Sequence, residues 1–124
     1  MPPVMKYDLH THYYPEVFFD TIRELATDFA FDTDSTGRTI IKYRGSRFFG
    51  ITPPMTDPVK RIEEMDRVGI DVEVVSLSTP NVFFTDAEHQ PEVAKLMNDA
   101  YADLVSRYPQ RFKAFASIPM DSPD

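Results

Sequence analysis

An α/β fold built on a parallel sheet is what this sequence predicts, and three observations predict it. Short runs rich in β-branched and aromatic residues stand at 5–9 (Met5-Lys6-Tyr7-Asp8-Leu9), 71–77 (Asp71-Val72-Glu73-Val74-Val75-Ser76-Leu77) and 112–118 (Phe112-Lys113-Ala114-Phe115-Ala116-Ser117-Ile118). The stretches between them carry apolar residues three and four apart, the period of a helix with one buried face. Proline or glycine punctuates the junctions, at Pro15, Pro58, Gly69 and Pro109. Strands alternating with helices imply right-handed βαβ units. Three parallel strands alone would leave an edge open, and parallel sheets are normally covered on both faces and continued by further units. The expected architecture is therefore the first third of a (β/α)8 TIM-type barrel, with residues 1–124 as the N-terminal part of one barrel domain and a small β-hairpin insertion after the first helix.

Each element has its own signal. From Pro15 to Phe29, Phe18, Ile22, Leu25 and Phe29 recur at steps of four, three and four, which predicts the first helix. Two β-prone runs, Phe29-Ala30-Phe31 and Thr39-Ile40-Ile41-Lys42-Tyr43, then flank the turn-rich Asp32 to Gly37, giving a hairpin insertion over 30–52 that Arg47-Phe48-Phe49 can extend. Ile51-Thr52-Pro53-Pro54-Met55 reads as a stiff connector. Asp57-Pro58 supplies an N-cap and a proline at the first helical position, Val59, Ile62, Met65 and Val68 mark one stripe, and Gly69 stands where a left-handed cap ends the helix. After the second strand comes a loop, 78–86. Val93, Met97, Ala100 and Leu104 mark the buried face of a long third helix that Tyr108-Pro109 stops.

Composition narrows the function classes. A net charge of −7 and a pI near 4.8 argue against nucleic-acid or anionic-membrane partners, which need a basic face. The chain has no cysteine, hence no disulfide framework and no thiolate chemistry. Met1 to Lys6 lacks the apolar core of a signal peptide, and no apolar run approaches the ~20 residues of a membrane span. A cytoplasmic location without membrane attachment is the expectation.

The chemistry concentrates in Tyr7-Asp8-Leu9-His10-Thr11-His12-Tyr13-Tyr14-Pro15. Successive strand side chains point to opposite faces, so His10 and His12 share a face while Thr11 points away. Two imidazoles on one face can chelate one ion, and neutral imidazole suits zinc and other first-row metals. The pair is half a site, because a catalytic metal needs more protein ligands and an open position. His89, at the start of the third helix, is a poor substitute for the missing ligand. In (β/α)8 barrels the chemistry sits at the C-terminal ends of the strands. His10 and His12 end the first strand, the loop from Thr79 to Phe84 follows the second, and Met120-Asp121 follows the third. Phe83 and Phe84 are expected to wall a pocket on that rim, with Tyr13 and Tyr14 able to reach it or to pack against the insertion.

These residues resemble the amidohydrolase superfamily, in the branch of aminocarboxymuconate-semialdehyde decarboxylase and related decarboxylases and hydratases. The likeness rests on Asp8-Leu9-His10-Thr11-His12 with Pro15, and on Asp57-Pro58-Val59-Lys60-Arg61-Ile62-Glu63-Glu64-Met65-Asp66 running into Gly69-Ile70-Asp71-Val72. It continues through Ser78-Thr79-Pro80, Met97-Asn98-Asp99, Tyr108-Pro109-Gln110-Arg111-Phe112 and Ile118-Pro119-Met120. The resemblance implies that His10 and His12 are the first two ligands of a mononuclear site holding zinc or another divalent metal such as manganese. It also implies that the remaining ligands and the histidine of acid/base catalysis lie beyond residue 124, so no catalytic residue is assigned within the chain. Arg47, with Arg44 as competitor, matches the arginine of the insertion that binds substrate carboxylate, and Phe83 and Phe84 join it as substrate-binding residues. A guanidinium suits that task because its fork of donors engages both carboxylate oxygens.

The expected activity of the full-length parent is that of a metal-dependent decarboxylase, a carbon–carbon lyase acting on a small unsaturated or aromatic carboxylic acid, in a homodimer. The alternatives are a metal-dependent hydrolase or hydratase on the same scaffold, and an inactive truncated fragment.

Overall fold

The computed structural model describes residues 1–122. Its elements run β1 (Tyr7–His12), α1 (Glu16–Leu25), β2 (Phe29–Thr33), β3 (Thr39–Tyr43), β4 (Ser46–Gly50), α2 (Pro53–Thr56), α3 (Pro58–Val68), β5 (Val72–Ser76), α4 (Gln90–Arg107) and β6 (Phe112–Ala114). They form two sheets of three strands: a parallel one in the order β1-β5-β6 and an antiparallel one in the order β2-β3-β4.

The parallel sheet has one face on the core. Val75, Leu77 and Phe112 are buried there with Phe18 and Ile22 of α1, Met65 of α3, and Met97, Tyr101 and Leu104 of α4. The junctions behave as their residues dictate. Asp57 caps α3 by accepting from the backbone N–H groups of Val59 and Lys60, at 2.9 and 3.3 Å, and Gly69 ends it at φ 74°. This fixes the length of the crossover that returns the chain to β5.

Five expectations change. The first helix stops at Leu25 rather than Phe29, because Ala26 turns extended (φ −90°, ψ 131°) and Phe29 instead opens β2. The stripe of α3 splits: Met65 is buried, but Val59 and Val68 are exposed. A strict three-residue step rotates about 60° per repeat around a 3.6-residue helix, so positions nine apart end on opposite sides. On α4 it is Tyr101 and Ala94, not Ala100, that complete the buried face. The connector at Pro53 contains a one-turn helix, and the third strand ends at Ala114, short of Ile118.

The segment read as a hairpin forms a three-stranded sheet. Asp34 closes its first turn by accepting from Thr36 N–H, Thr36 Oγ1 and Arg38 N–H at 2.9, 2.6 and 3.1 Å. Arg44 and Gly45 close the second at φ 48° and 82°, the positive pair that a type I′ turn requires. Phe48 is the extra residue of a bulge, since Ile41 faces Phe49 while Lys42 faces Arg47. This sheet docks on the main fold through aromatic contacts, Phe31 edge-on to Phe19 at 6.2 Å and Phe49 stacked on Tyr14 at 5.4 Å.

Candidate functional site

On β1 the side chain of Thr11 shares a face with its partner Val75, the face covered by helices. His10 and His12, one residue to either side, therefore project from the opposite face, and their ring centroids lie 5.2 Å apart at 86°. A β-bulge contributes to this placement. Asp8 pairs with Glu73 and Thr11 with Val75, so three steps on β1 match two on β5. Asp8 supports the irregularity by accepting the His10 backbone N–H at 3.0 Å. Bulges of this kind re-aim side chains beside functional sites.

His12 is oriented from β5. Its Nδ1 lies 3.2 Å from both the carbonyl oxygen and the Oγ of Ser76. With the proton on Nδ1 that hydrogen donates to the Ser76 carbonyl and the Nε2 lone pair stays free, the arrangement that ligating histidines adopt. The pair thus has the donor chemistry of two metal ligands. Among the described residues no group of three or more His, Cys, Asp and Glu side chains could hold an ion.

Behind the pair lies a buried polar cluster. Arg61 of α3 donates through Nε to Glu73 of β5 at 2.6 Å, through Nη1 to the Pro54 carbonyl at 3.3 Å, and through Nη2 to Thr11 Oγ1. The Arg61 and Glu73 side chains are only 12% and 10% exposed. Sequence reading passed over both residues, although a glutamate between valines in a buried strand signals a missing cation.

The rim loops are tied down by amides. Asn98 and Ser117 exchange two hydrogen bonds, at 2.9 and 2.8 Å, and Gln90 Nε2 donates to Asp121 at 2.9 Å and to the Thr85 carbonyl at 3.3 Å. Phe84 packs edge-on against the core residue Phe18 at 5.8 Å, while Phe83 is exposed beside it. Tyr14 joins the aromatic cluster against the insert. The Tyr13 hydroxyl donates to the Thr56 carbonyl at 2.7 Å, and burial pushes its pKa up to about 12. Neither tyrosine contacts the histidine pair through a hydrogen bond.

Arg47 is exposed on β4 opposite Lys42, on the sheet face away from Ile41 and Phe49, and no ion pair engages it among the described residues. Arg44 is committed elsewhere, to Asp28 at 3.1 Å just before β2. His89 pairs with Asp86 at 2.7 Å at the start of α4. The structure thus brings His10 and His12 together and leaves Arg47 and Phe83 as exposed side chains. A cavity of about 410 Å3 opens between Tyr13, Asp57, Asp103 and Arg107, with neither histidine in its lining.

Comparison with known proteins finds relatives of the chain and of its fold. Over 120 residues the chain is 30% identical to the 2-amino-3-carboxymuconate-6-semialdehyde decarboxylase of Dictyostelium discoideum, covering 94% of this chain and 33% of that protein. A dihydroxybenzoic acid decarboxylase from Polaromonas sp. JS666, solved with bound manganese and the inhibitor 2-nitroresorcinol, superposes with a TM-score of 0.61 at 26% identity, over 94% of this chain and 30% of that one. The chain is similar to these decarboxylases over nearly its whole length. The fold agrees further afield, with a TM-score of 0.82 at 20% identity to an apo IDCase from Metarhizium anisopliae, over 96% of this chain and 36% of that one. No family model matches the chain. The chain matches a fifth to a third of the length of the curated relatives it resembles. No helix among the described residues is long and apolar enough to cross a membrane.

Proposed function

We propose that the protein to which this chain belongs is a metal-dependent decarboxylase, a carbon–carbon lyase acting on an aromatic or unsaturated carboxylic acid, and that residues 1–124 are the first third of its (β/α)8 barrel. The observation that carries the proposal is the His10/His12 pair at the C-terminal end of β1, with His12 Nδ1 held 3.2 Å from the Ser76 carbonyl. The decarboxylase relatives, one solved with bound manganese, support the same reading.

In this proposal His10 and His12 are two of the ligands of a zinc or manganese ion. Such an ion, when bound, lowers the pKa of bound water or polarises a substrate oxygen. Ser76 keeps His12 in the ligating tautomer. Arg47 engages the substrate carboxylate with its fork of donors, and Phe83 and Phe84 bound the ring. The remaining ligands and the proton-transferring histidine come from later strands.

The test uses the full-length protein. Carbon dioxide release from dihydroxybenzoates and related acids is expected, lost in chelator and restored by zinc or manganese, and lost together with bound metal in His12→Ala. Full activity in chelator refutes the proposal. Opening of lactones or amides without carbon dioxide release moves the assignment to a hydrolase. Arg47→Ala is expected to raise KM for the acid with metal content unchanged.

A further inference from the structure

We infer that Arg61, clamped by Glu73, is a positioning residue that holds the His10/His12 pair in register through the hydroxyl of Thr11. The inference rests on the metal-binding reading above and adds to it residues that touch neither metal nor substrate.

Thr11 occupies the middle of the His-x-His triplet and points the other way. Its Oγ1 accepts from Arg61 Nη2, and the same guanidinium donates to Glu73 at 2.6 Å and to the Pro54 carbonyl at 3.3 Å. One planar group thus ties β1 to β5, α3 and the turn of α2. Its place along β1 gives the contact its meaning. Regular pairing with β5 breaks after Asp8 and resumes at Thr11. In such a strand a slip of one residue exchanges the two faces, so the side that Thr11 takes decides the side that both histidines take. The paired backbone does not by itself fix where the extra residue sits. The hydrogen bond from Arg61 does, because only with Thr11 on the helix side can its hydroxyl reach a guanidinium buried beside Glu73.

The geometry of that guanidinium is itself fixed from β5. Glu73 pairs with Asp8, just before the bulge, and Val75 pairs with Thr11, just after it. The cluster therefore spans the irregularity from the strand whose Ser76 also holds His12 Nδ1. Both the ring orientation of His12 and the facing of the triplet are referred to the same neighbouring strand. Partners of this kind are expected to change metal affinity about 10- to 100-fold when removed, without being ligands themselves.

Thr11→Val separates positioning from packing. It keeps the branched shape and the strand preference, and it leaves the Arg61–Glu73 pair intact. Manganese affinity of the full-length protein, read from the EPR signal of the free ion, is expected to fall about tenfold. Thr11→Ser retains the hydroxyl and is expected to bind as the wild type does, and Arg61→Lys, which keeps the charge but loses the fork, is expected to behave as Thr11→Val. Circular dichroism of each metal-free variant confirms that the comparison is between folded proteins. Equal manganese affinity in wild type and Thr11→Val overturns the inference and leaves the functional proposal standing. Equal losses in Thr11→Ser and Thr11→Val also overturn it, since the hydroxyl is then not the link. A folded wild type that binds no manganese or zinc overturns both.

Discussion

In the parallel sheet His12 meets Ser76 across 64 residues of chain, whereas in the antiparallel sheet Arg44 meets Asp28 across only 16 and each strand pairs with its neighbour in sequence. The two sheets solve the register problem differently. The antiparallel one is set locally, by an aspartate that closes one turn and a positive-φ pair that closes the other, and its ion pairs lie in solvent. The parallel one has no turn to count residues for it. Its register is fixed at long range, by a nearly buried ion pair and a threonine hydroxyl behind the histidines. The proposed metal site, which depends on which face a side chain takes, sits on the second kind of sheet, where facing is enforced by buried chemistry.

The largest test of this contrast removes the buried cation. Arg61→Leu strands Glu73 in an apolar setting, and loss of one partner of a buried pair costs about 3–5 kcal/mol. A chemical-denaturation midpoint measures it. The double variant Arg61→Leu/Glu73→Leu is expected to recover most of that loss, since an apolar pair of similar volume replaces a buried ion pair with little penalty. Recovery of stability without recovery of metal affinity would separate the two roles of the cluster. Equal stability of Arg61→Leu and the wild type would show that the pair holds nothing.

A smaller effect is expected in the insert. Gly45 sits at φ 82° with no neighbouring atom within 4 Å of the point where a Cβ would stand, so Gly45→Ala meets no steric clash and only its backbone conformation opposes the change. That strain costs about 1 kcal/mol. Metal affinity is expected to stay at the wild-type value, because nothing in the turn reaches β1. A fall in metal affinity would show that the two sheets are coupled and that the contrast between them fails.

How much of this was legible follows from the range of each signal. Asp57, Pro58 and Gly69 announced α3 because caps act within one turn of the residues that carry them. His10 and His12 announced a shared face because alternation is a property of any strand. The bulge at Leu9 and His10 was not legible, since it exists only relative to β5. Arg61 carries no local signal of burial on a helix rich in charge, and only the strand residue Glu73 makes its burial necessary. Val59 and Val68 misled for a geometric reason, a repeat of three being too short to hold one face of a helix over three turns. Phe29 continued the spacing of α1 but joined β2, because the extended backbone at Ala26 had already ended the helix.

The smallest expected effect lies at the third histidine, which separates local pairing from site chemistry. Asp86 holds the His89 pKa above its ordinary 6.5, first by a side-chain hydrogen bond and then by its charge. A raised folded value means that protonated His89 favours the folded state. The contribution is complete below pH 6.5 and disappears as the pH rises through the raised value. Following the His89 ring protons by NMR should place the midpoint above 6.5 in the wild type, and Asp86→Asn should return it toward 6.5 with metal affinity unchanged. A midpoint in the wild type at or below 6.5 would mean that the pair does not persist in solution. Movement of the His89 signals on adding manganese, at ion concentrations that saturate His10 and His12, would instead draw His89 into the site and overturn its assignment to a local pair.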